Sequence, residues 1–258
     1  NLIMISGLPL LNSLTLKNCN ISSIEALTPA TNLVSLDLSN NTVRNLKALS
    51  SMSSLQELIL QHNAVTDLTA LSSIKTLKKL DVSYNTLTSI APICGLSELT
   101  WLDANTNNIT DIGSLNQLTS LTYLSLANNK IIDISKAASC TLLVEFDISN
   151  NLLTDITALS PLSDLMYLNF AHNEITTLPS FSADCALVTI DGSHNLLENI
   201  DTLSGLASLN NVFMDYNPEL TSVDALATCP LLIQVNVYGT KVTDVESLTK
   251  QSIIVNYN

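Results

Sequence analysis

The chain carries three histidines, His62, His172 and His194, and the last two are 22 residues apart. Imidazoles brought side by side can hold a transition metal or exchange a proton near neutral pH, which makes His172 and His194 the candidates for a metal site. Aspartates recur at the same spacing or twice it: Asp37, Asp81, Asp103, Asp147 and Asp191. Carboxylates in one column attract cations, either basic side chains of a partner or calcium where six oxygens converge. A second set, Asp111, Asp133 and Asp155, precedes apolar residues that begin turns, the place for a carboxylate that caps free N–H groups. The single tryptophan, Trp101, is 22 residues from Tyr123 and 66 from Tyr167. Large amphipathic rings of this kind anchor protein interfaces. No G-x-S-x-G, H-E-x-x-H, phosphate-binding loop or G-x-G-x-x-G occurs, so the sequence predicts no enzyme and no cofactor.

These residues share a spacing because the whole chain does. Leucines fall at 11, 33, 55, 77, 99, 121, 143, 165, 187 and 209, and Leu232 follows after 23. Each opens the pattern L-x-x-L-x-L-x-x-N-x-I, as in Leu55, Leu58, Leu60, Asn63 and Val65. The alternation L-x-L reads as a short strand with one face buried. Later apolar positions, such as Leu68, Leu71 and Ile74, read as a return segment of 3₁₀ turns and extended chain. One such repeat cannot bury its own apolar face, so copies must stack. The fold class predicted is α/β: a right-handed, curved leucine-rich-repeat solenoid. Its parallel β-sheet is on the concave face, with 3₁₀ and extended segments on the convex face. Residues 1–258 read as one domain: a partial repeat at 1–10, eleven repeats beginning at the leucines above, and a closing strand at 252–258. Leu2, Ile5 and Leu8 match the end of a preceding repeat, which predicts a fragment whose uncapped ends invite self-association.

Other columns agree. Asparagines stand at 41, 63, 85, 107, 129, 151, 173, 195 and 217, with Cys19 and Thr240 in their place in the first and last repeats. A buried amide must be satisfied, and here it can bond the turns leaving the sheet. All seven prolines fall outside the strand windows, where a missing N–H would break the ladder. Gly192 takes an inward position between Phe170 and Met214 of flanking repeats, as volume compensation. The five cysteines include no C-x-x-C. Cys140, Cys185 and Cys229 lie two repeats apart, roughly 10 Å, beyond the reach of a disulfide. A net charge of −13 opposes binding to nucleic acid or anionic membranes and suits a basic partner. No apolar run is long enough to insert in a bilayer.

The 22-residue pattern resembles the leucine-rich repeats of bacterial internalins, and the related repeats of a regulatory subunit of type-one protein phosphatase. The resemblance covers essentially the whole chain. The tail Ser252–Ile253–Ile254–Val255–Asn256–Tyr257 is similar to segments that close such arrays in surface proteins of Gram-positive bacteria. The resemblance implies a secreted or cell-surface recognition module that binds protein through its concave sheet. The alternative it implies is an intracellular scaffold or phosphatase-regulator-like adaptor.

Folding asks little of the outward positions of each strand, so clustering there carries the functional signal. The third position holds Trp101, Tyr123, Glu145 and Tyr167; the fifth holds Asp81, Asp103, Asp147, Asp191 and Phe213; Tyr84, Tyr216 and Tyr238 lie at the rim. These twelve residues are the predicted partner-binding set, suited to a protein with a basic patch. Trp101 and Tyr123 are expected to touch, with Asp103 and Glu145 beside them. Trp101→Ala is expected to weaken binding while changing stability little.

Overall fold

The computed structural model describes residues 10–257. The predicted partial repeat at 1–10 lies almost wholly outside the described residues, as does Asn258. The chain divides into two compact units, Asn1–Lys130 and Ile131–Asn258.

Unit 1 holds six three-residue parallel strands: β1 Ser13–Thr15, β2 Ser35–Asp37, β3 Glu57–Ile59, β4 Lys79–Asp81, β5 Trp101–Asp103 and β6 Tyr123–Ser125. They pair in chain order, with Ser13 opposite Ser35, Glu57 opposite Lys79 and Trp101 opposite Tyr123. Every pair is offset by one repeat, so residues at one repeat position form a straight column. Return segments carry 3₁₀ turns, among them Lys47–Leu49, Thr69–Leu71 and Ala91–Ile93. The fold is a leucine-rich-repeat solenoid, as the spacing requires.

Unit 2 repeats the plan with β7 Glu145–Asp147, β8 Tyr167–Asn169, β9 Thr189–Asp191, β10 Asn211–Phe213, β11 Gln234–Asn236 and β12 Ile254–Asn256. The register follows the sequence even where the spacing slips, with Asn211 opposite Gln234 and Gln234 opposite Ile254. Two return segments depart from the 3₁₀ pattern. Residues 174–186 contain no 3₁₀ helix, only a single turn at Ser182–Cys185, and Glu246–Thr249 closes one turn of α-helix, α1.

From the second described coil on, the leucine columns are sealed in both units, whereas Leu11, Leu14 and Leu16 of the first are half-buried. Leu55, Leu58 and Leu60 have no exposure, and neither have Leu68 and Leu71 from the return segment of the same coil. Each such side chain contributes about 1.5–3 kcal/mol on burial. The asparagine ladder supplies the polar half of the interior. Asn85 Oδ1 accepts the Val65 N–H of the preceding coil at 2.9 Å, and its Nδ2 donates to Leu60, Val82 and Ser83 carbonyls, each at 3.0 Å. Asn63, Asn107 and Asn129 repeat the set in unit 1, and Asn173, Asn195 and Asn217 in unit 2. Thr240 keeps a reduced version: its hydroxyl donates to Val237 O and accepts from Val242 N–H.

Gly192 sits where a Cβ would lie 2.3 Å from Phe170 Cζ and 2.9 Å from Met214 Sδ. Two large side chains meet across the space that it leaves. Gly192→Ala is therefore expected to destabilise by roughly 1–3 kcal/mol through overpacking, measured by denaturant unfolding. A neutral effect would mean that Phe170 has room to turn away.

Candidate functional site

The outward residues of the repeats form columns at the third, fifth and eighth positions. At the third position of unit 1, Ser35 Oγ donates to Glu57 Oε2 at 3.1 Å, and Lys79 Nζ stands 3.1 Å from Glu57 Oε1. The same Nζ lies 5.1 Å from the Trp101 ring centroid. Trp101 and Tyr123 stack at 4.7 Å with planes 8° apart. The expected Trp101–Tyr123 contact is therefore present, inside a longer ladder from Ser35 to Tyr123. The ladder gives Trp101 a packing role, with a cation on one side and a ring on the other. That revises the expectation that its removal leaves stability nearly unchanged. Glu145 and Tyr167, the third-position residues of β7 and β8, are register partners in unit 2 and exposed.

The fifth-position aspartates hold the turns that leave the strands. Asp37, Asp81 and Asp103 accept the N–H two residues on, at 2.8, 3.0 and 2.9 Å. In unit 2 Asp147 and Asp191 do the same at 2.9 and 3.0 Å, and Asn169 at 3.1 Å. The hydroxyls of Ser83 and Ser193 and the amide of Asn105 donate to the same oxygens. The sequence suggests a slot for cations at this column. The structure adds turn capping, whose visible signal is the recurring Asp-x-Ser at 37–39, 81–83, 147–149 and 191–193. On the return side Asp111, Asp133 and Asp155 each accept an N–H two residues on at 2.7 Å, as expected of caps. The Ser135 backbone N–H lowers the Asp133 pKa, and the Thr157 hydroxyl lowers that of Asp155.

The eighth position has a property that sequence reasoning missed. Asn40, His62, Tyr84 and Thr106 in unit 1, and Asn150, His172, His194 and Tyr216 in unit 2, all have φ between 52° and 56°. This is the left-handed region, which suits Asn and Gly and strains larger side chains. The side chains project as a second column at the rim. His62 stacks on Tyr84 at 4.0 Å. In unit 2 His172 stacks on His194 at 4.1 Å with planes 12° apart, and His194 on Tyr216 at 4.4 Å. Near-parallel imidazoles send their in-plane lone pairs side by side rather than toward one point. Among the described residues no three His, Cys, Asp or Glu side chains gather as metal ligands. Tyr216 continues the column, and Tyr238, one position earlier in its own repeat, meets it edge to face at 5.7 Å and 80°. Asp215 lies half-buried beside them, accepting the Tyr238 N–H at 3.2 Å. Burial pushes its carboxyl up, and Asp191 adds to this; the Tyr238 N–H and His194 oppose it.

None of the five cysteines is in a disulfide; Cys94, Cys140, Cys185 and Cys229 are buried and Cys19 is exposed. No described helix is long and apolar enough to cross a membrane.

Sheet, turns and ladder define this chain as a leucine-rich-repeat protein. Residues 53–95, 97–139 and 119–163 match the model of paired leucine-rich repeats. Among solved structures it is similar to an internalin, InlF, of Listeria monocytogenes, with 24% identity, a TM-score of 0.74, and coverage of 93% of this chain and 77% of that one. It is also similar to internalin C2 of the same bacterium, with 29% identity, a TM-score of 0.65, and coverage of 69% and 80%. A plant peptide hormone receptor, RGFR1, solved in complex with RGF2, shares 19% identity at a TM-score of 0.73, over 92% of this chain and 49% of that chain. No curated protein matches the sequence.

Proposed function

We propose that this protein is a recognition module that binds another protein on the outward face of its strands. It acts by binding rather than catalysis, outside the cell or at its surface. The observation that carries the reading is the division of the aromatic residues. The core takes Phe146, Phe170 and Phe181. Trp101, Tyr84, Tyr123, Tyr167, Phe213, Tyr216 and Tyr238 all stay at least partly exposed on the strand face or its rim. Rings that fill no core are the residues that anchor interfaces. The likeness to internalins supports a module of this kind, and the peptide-bound plant receptor shows that this fold can present a ligand surface. Asp81 and Asp103 in unit 1, and Glu145, Asp147 and Asp191 in unit 2, would steer a basic partner by long-range attraction.

The test is a pull-down from host and bacterial extracts on the immobilised full chain. Tyr167→Ser on the strand face is compared with Lys136→Ala on a return segment. A protein retained by the wild type should be lost with Tyr167→Ser and kept with Lys136→Ala. Equal retention by both variants would move the binding surface off the sheet.

A further inference from the structure

The turn-capping device is overwritten at one place in unit 2. The fifth position of the repeat, the last residue of β10, is Phe213, which has no acceptor, whereas neighbouring β9 has Asp191 there. Two residues on, Asp215 stands where the preceding coils have Ser149, Ala171 and Ser193. Its Oδ1 reaches across and caps the Tyr238 N–H of the next coil. Asn236 would otherwise take that N–H, and its Oδ1 is left buried with no donor. None of these changes improves the core: Phe213 stays partly exposed, and Tyr216 and Tyr238 are 47% and 49% exposed. Tyr216 holds the left-handed φ of 52°, unfavourable for an aromatic residue. Room for its ring comes from Gly239, where a Cβ would lie 2.8 Å from Tyr216 Cδ1.

The charge around the patch has one sign. Lys136, Lys241 and Lys250 are the basic residues of unit 2, and all lie on return segments; its strand face presents Glu145, Asp147, Asp191 and Asp215. Lys241 and Lys250 are moreover paired with Glu219 and Glu246. Among the described residues no lysine or arginine of that face competes for its carboxylates; the basic group beside Asp215 is the His194 imidazole, stacked on Tyr216.

We propose that Phe213, Tyr216, Tyr238, Asp191 and Asp215 form a docking site for an arginine side chain of a protein partner. The proposal rests on the protein-binding reading above and names the partner's chemistry. The site offers acceptors and aromatic rings, and no lysine or arginine of the described strand face competes for them. A guanidinium is donor-only, planar and weakly hydrated, so it can bond a carboxylate and lie against a ring at once. A lysine ammonium is a hydrated point charge and gains chiefly the Coulomb attraction.

The experiment is an NMR titration of the full chain with capped hexa-arginine and hexa-lysine peptides, at an ionic strength of about 0.15 M, where distant charges are screened. Ring signals of His194, Tyr216 and Tyr238 are followed, and dispersed amide signals check the fold of each variant. Hexa-arginine should shift these rings and bind at least about ten-fold more tightly than hexa-lysine. Asp191→Asn with Asp215→Asn should weaken that binding by about ten-fold or more. Asp37→Asn, which removes one charge from unit 1 and keeps a capping oxygen, should leave it unchanged. Equal affinity for the two peptides, equal loss with Asp37→Asn, or no ring shift would each overturn the arginine site. A pull-down that still depends on Tyr167 would leave the protein-binding reading standing in that case. Hexa-arginine binding without any retained protein would remove the pull-down's support for that reading and leave the peptide site intact.

Discussion

Asn85→Ala is expected to cost about 3–5 kcal/mol of stability, the largest loss of any single polar change in the chain. The side chain is 7% exposed and makes four hydrogen bonds to backbone groups of its own coil and the one before. Alanine strands the Val65 N–H and withdraws a donor from the Leu60, Val82 and Ser83 carbonyls. Each buried group left without a partner costs about 1–3 kcal/mol, and water entering the small space relieves only part of it. Because a repeat contacts only its neighbours, hydrogen exchange should accelerate first around Val65 and Val82. The control is Thr86→Ala, which removes one long hydrogen bond of 3.3 Å to Val65 O beside the ladder. Urea unfolding reads the difference. A loss for Asn85→Ala no larger than that for Thr86→Ala would show that the ladder follows from the stacked coils rather than stabilising them.

That ladder was legible in the sequence, and so was most of the fold. The leucine columns and the register follow from a fixed period, since a residue and its counterpart one repeat on are strand partners. The return segments were legible as 3₁₀ turns because their apolar residues come three apart, too close for a sustained helix. Two features were harder to see, since both reside in backbone dihedrals. The left-handed eighth position shows itself as tolerance for Asn40, Asn128, Asn150 and Gly239, and Tyr84, Thr106 and Tyr216 obscure it. The capping role of the fifth-position aspartates needs the turn geometry two residues on. Both findings change the functional argument. Asp81 or Asp191 is present partly because a turn needs it, so an aspartate by itself says little about a ligand. Phe213 and Asp215, which break the capping pattern, say more.

Trp101→Ala is expected to weaken partner binding by roughly 2 kcal/mol or more, the loss typical of a central aromatic anchor. The structure adds a second consequence. The ring stacks on Tyr123, and Lys79 Nζ lies 5.1 Å from its centroid. Aromatic pairs contribute about 0.5–1.5 kcal/mol beyond area burial, and a partly exposed cation–ring contact about 0.5–1 kcal/mol. Alanine should thus lower stability by about 1–2 kcal/mol, in addition to the binding loss. The two effects separate with Trp101→Phe. A phenyl ring can still stack on Tyr123, so most of the stability should return. It lacks the indole N–H and much of the area, so binding should stay impaired. Lys79→Met is the complementary variant: it removes the cation beside the ring and leaves Glu57 with only its hydrogen bond from Ser35, with a stability change below about 1 kcal/mol for an exposed pair. Thermal unfolding and a binding titration on these variants decide the matter. If Trp101→Phe binds like the wild type while Trp101→Ala does not, the stack rather than the indole itself is what the partner requires. If neither variant changes binding, the ladder is packing alone and the partner surface lies elsewhere on the strands.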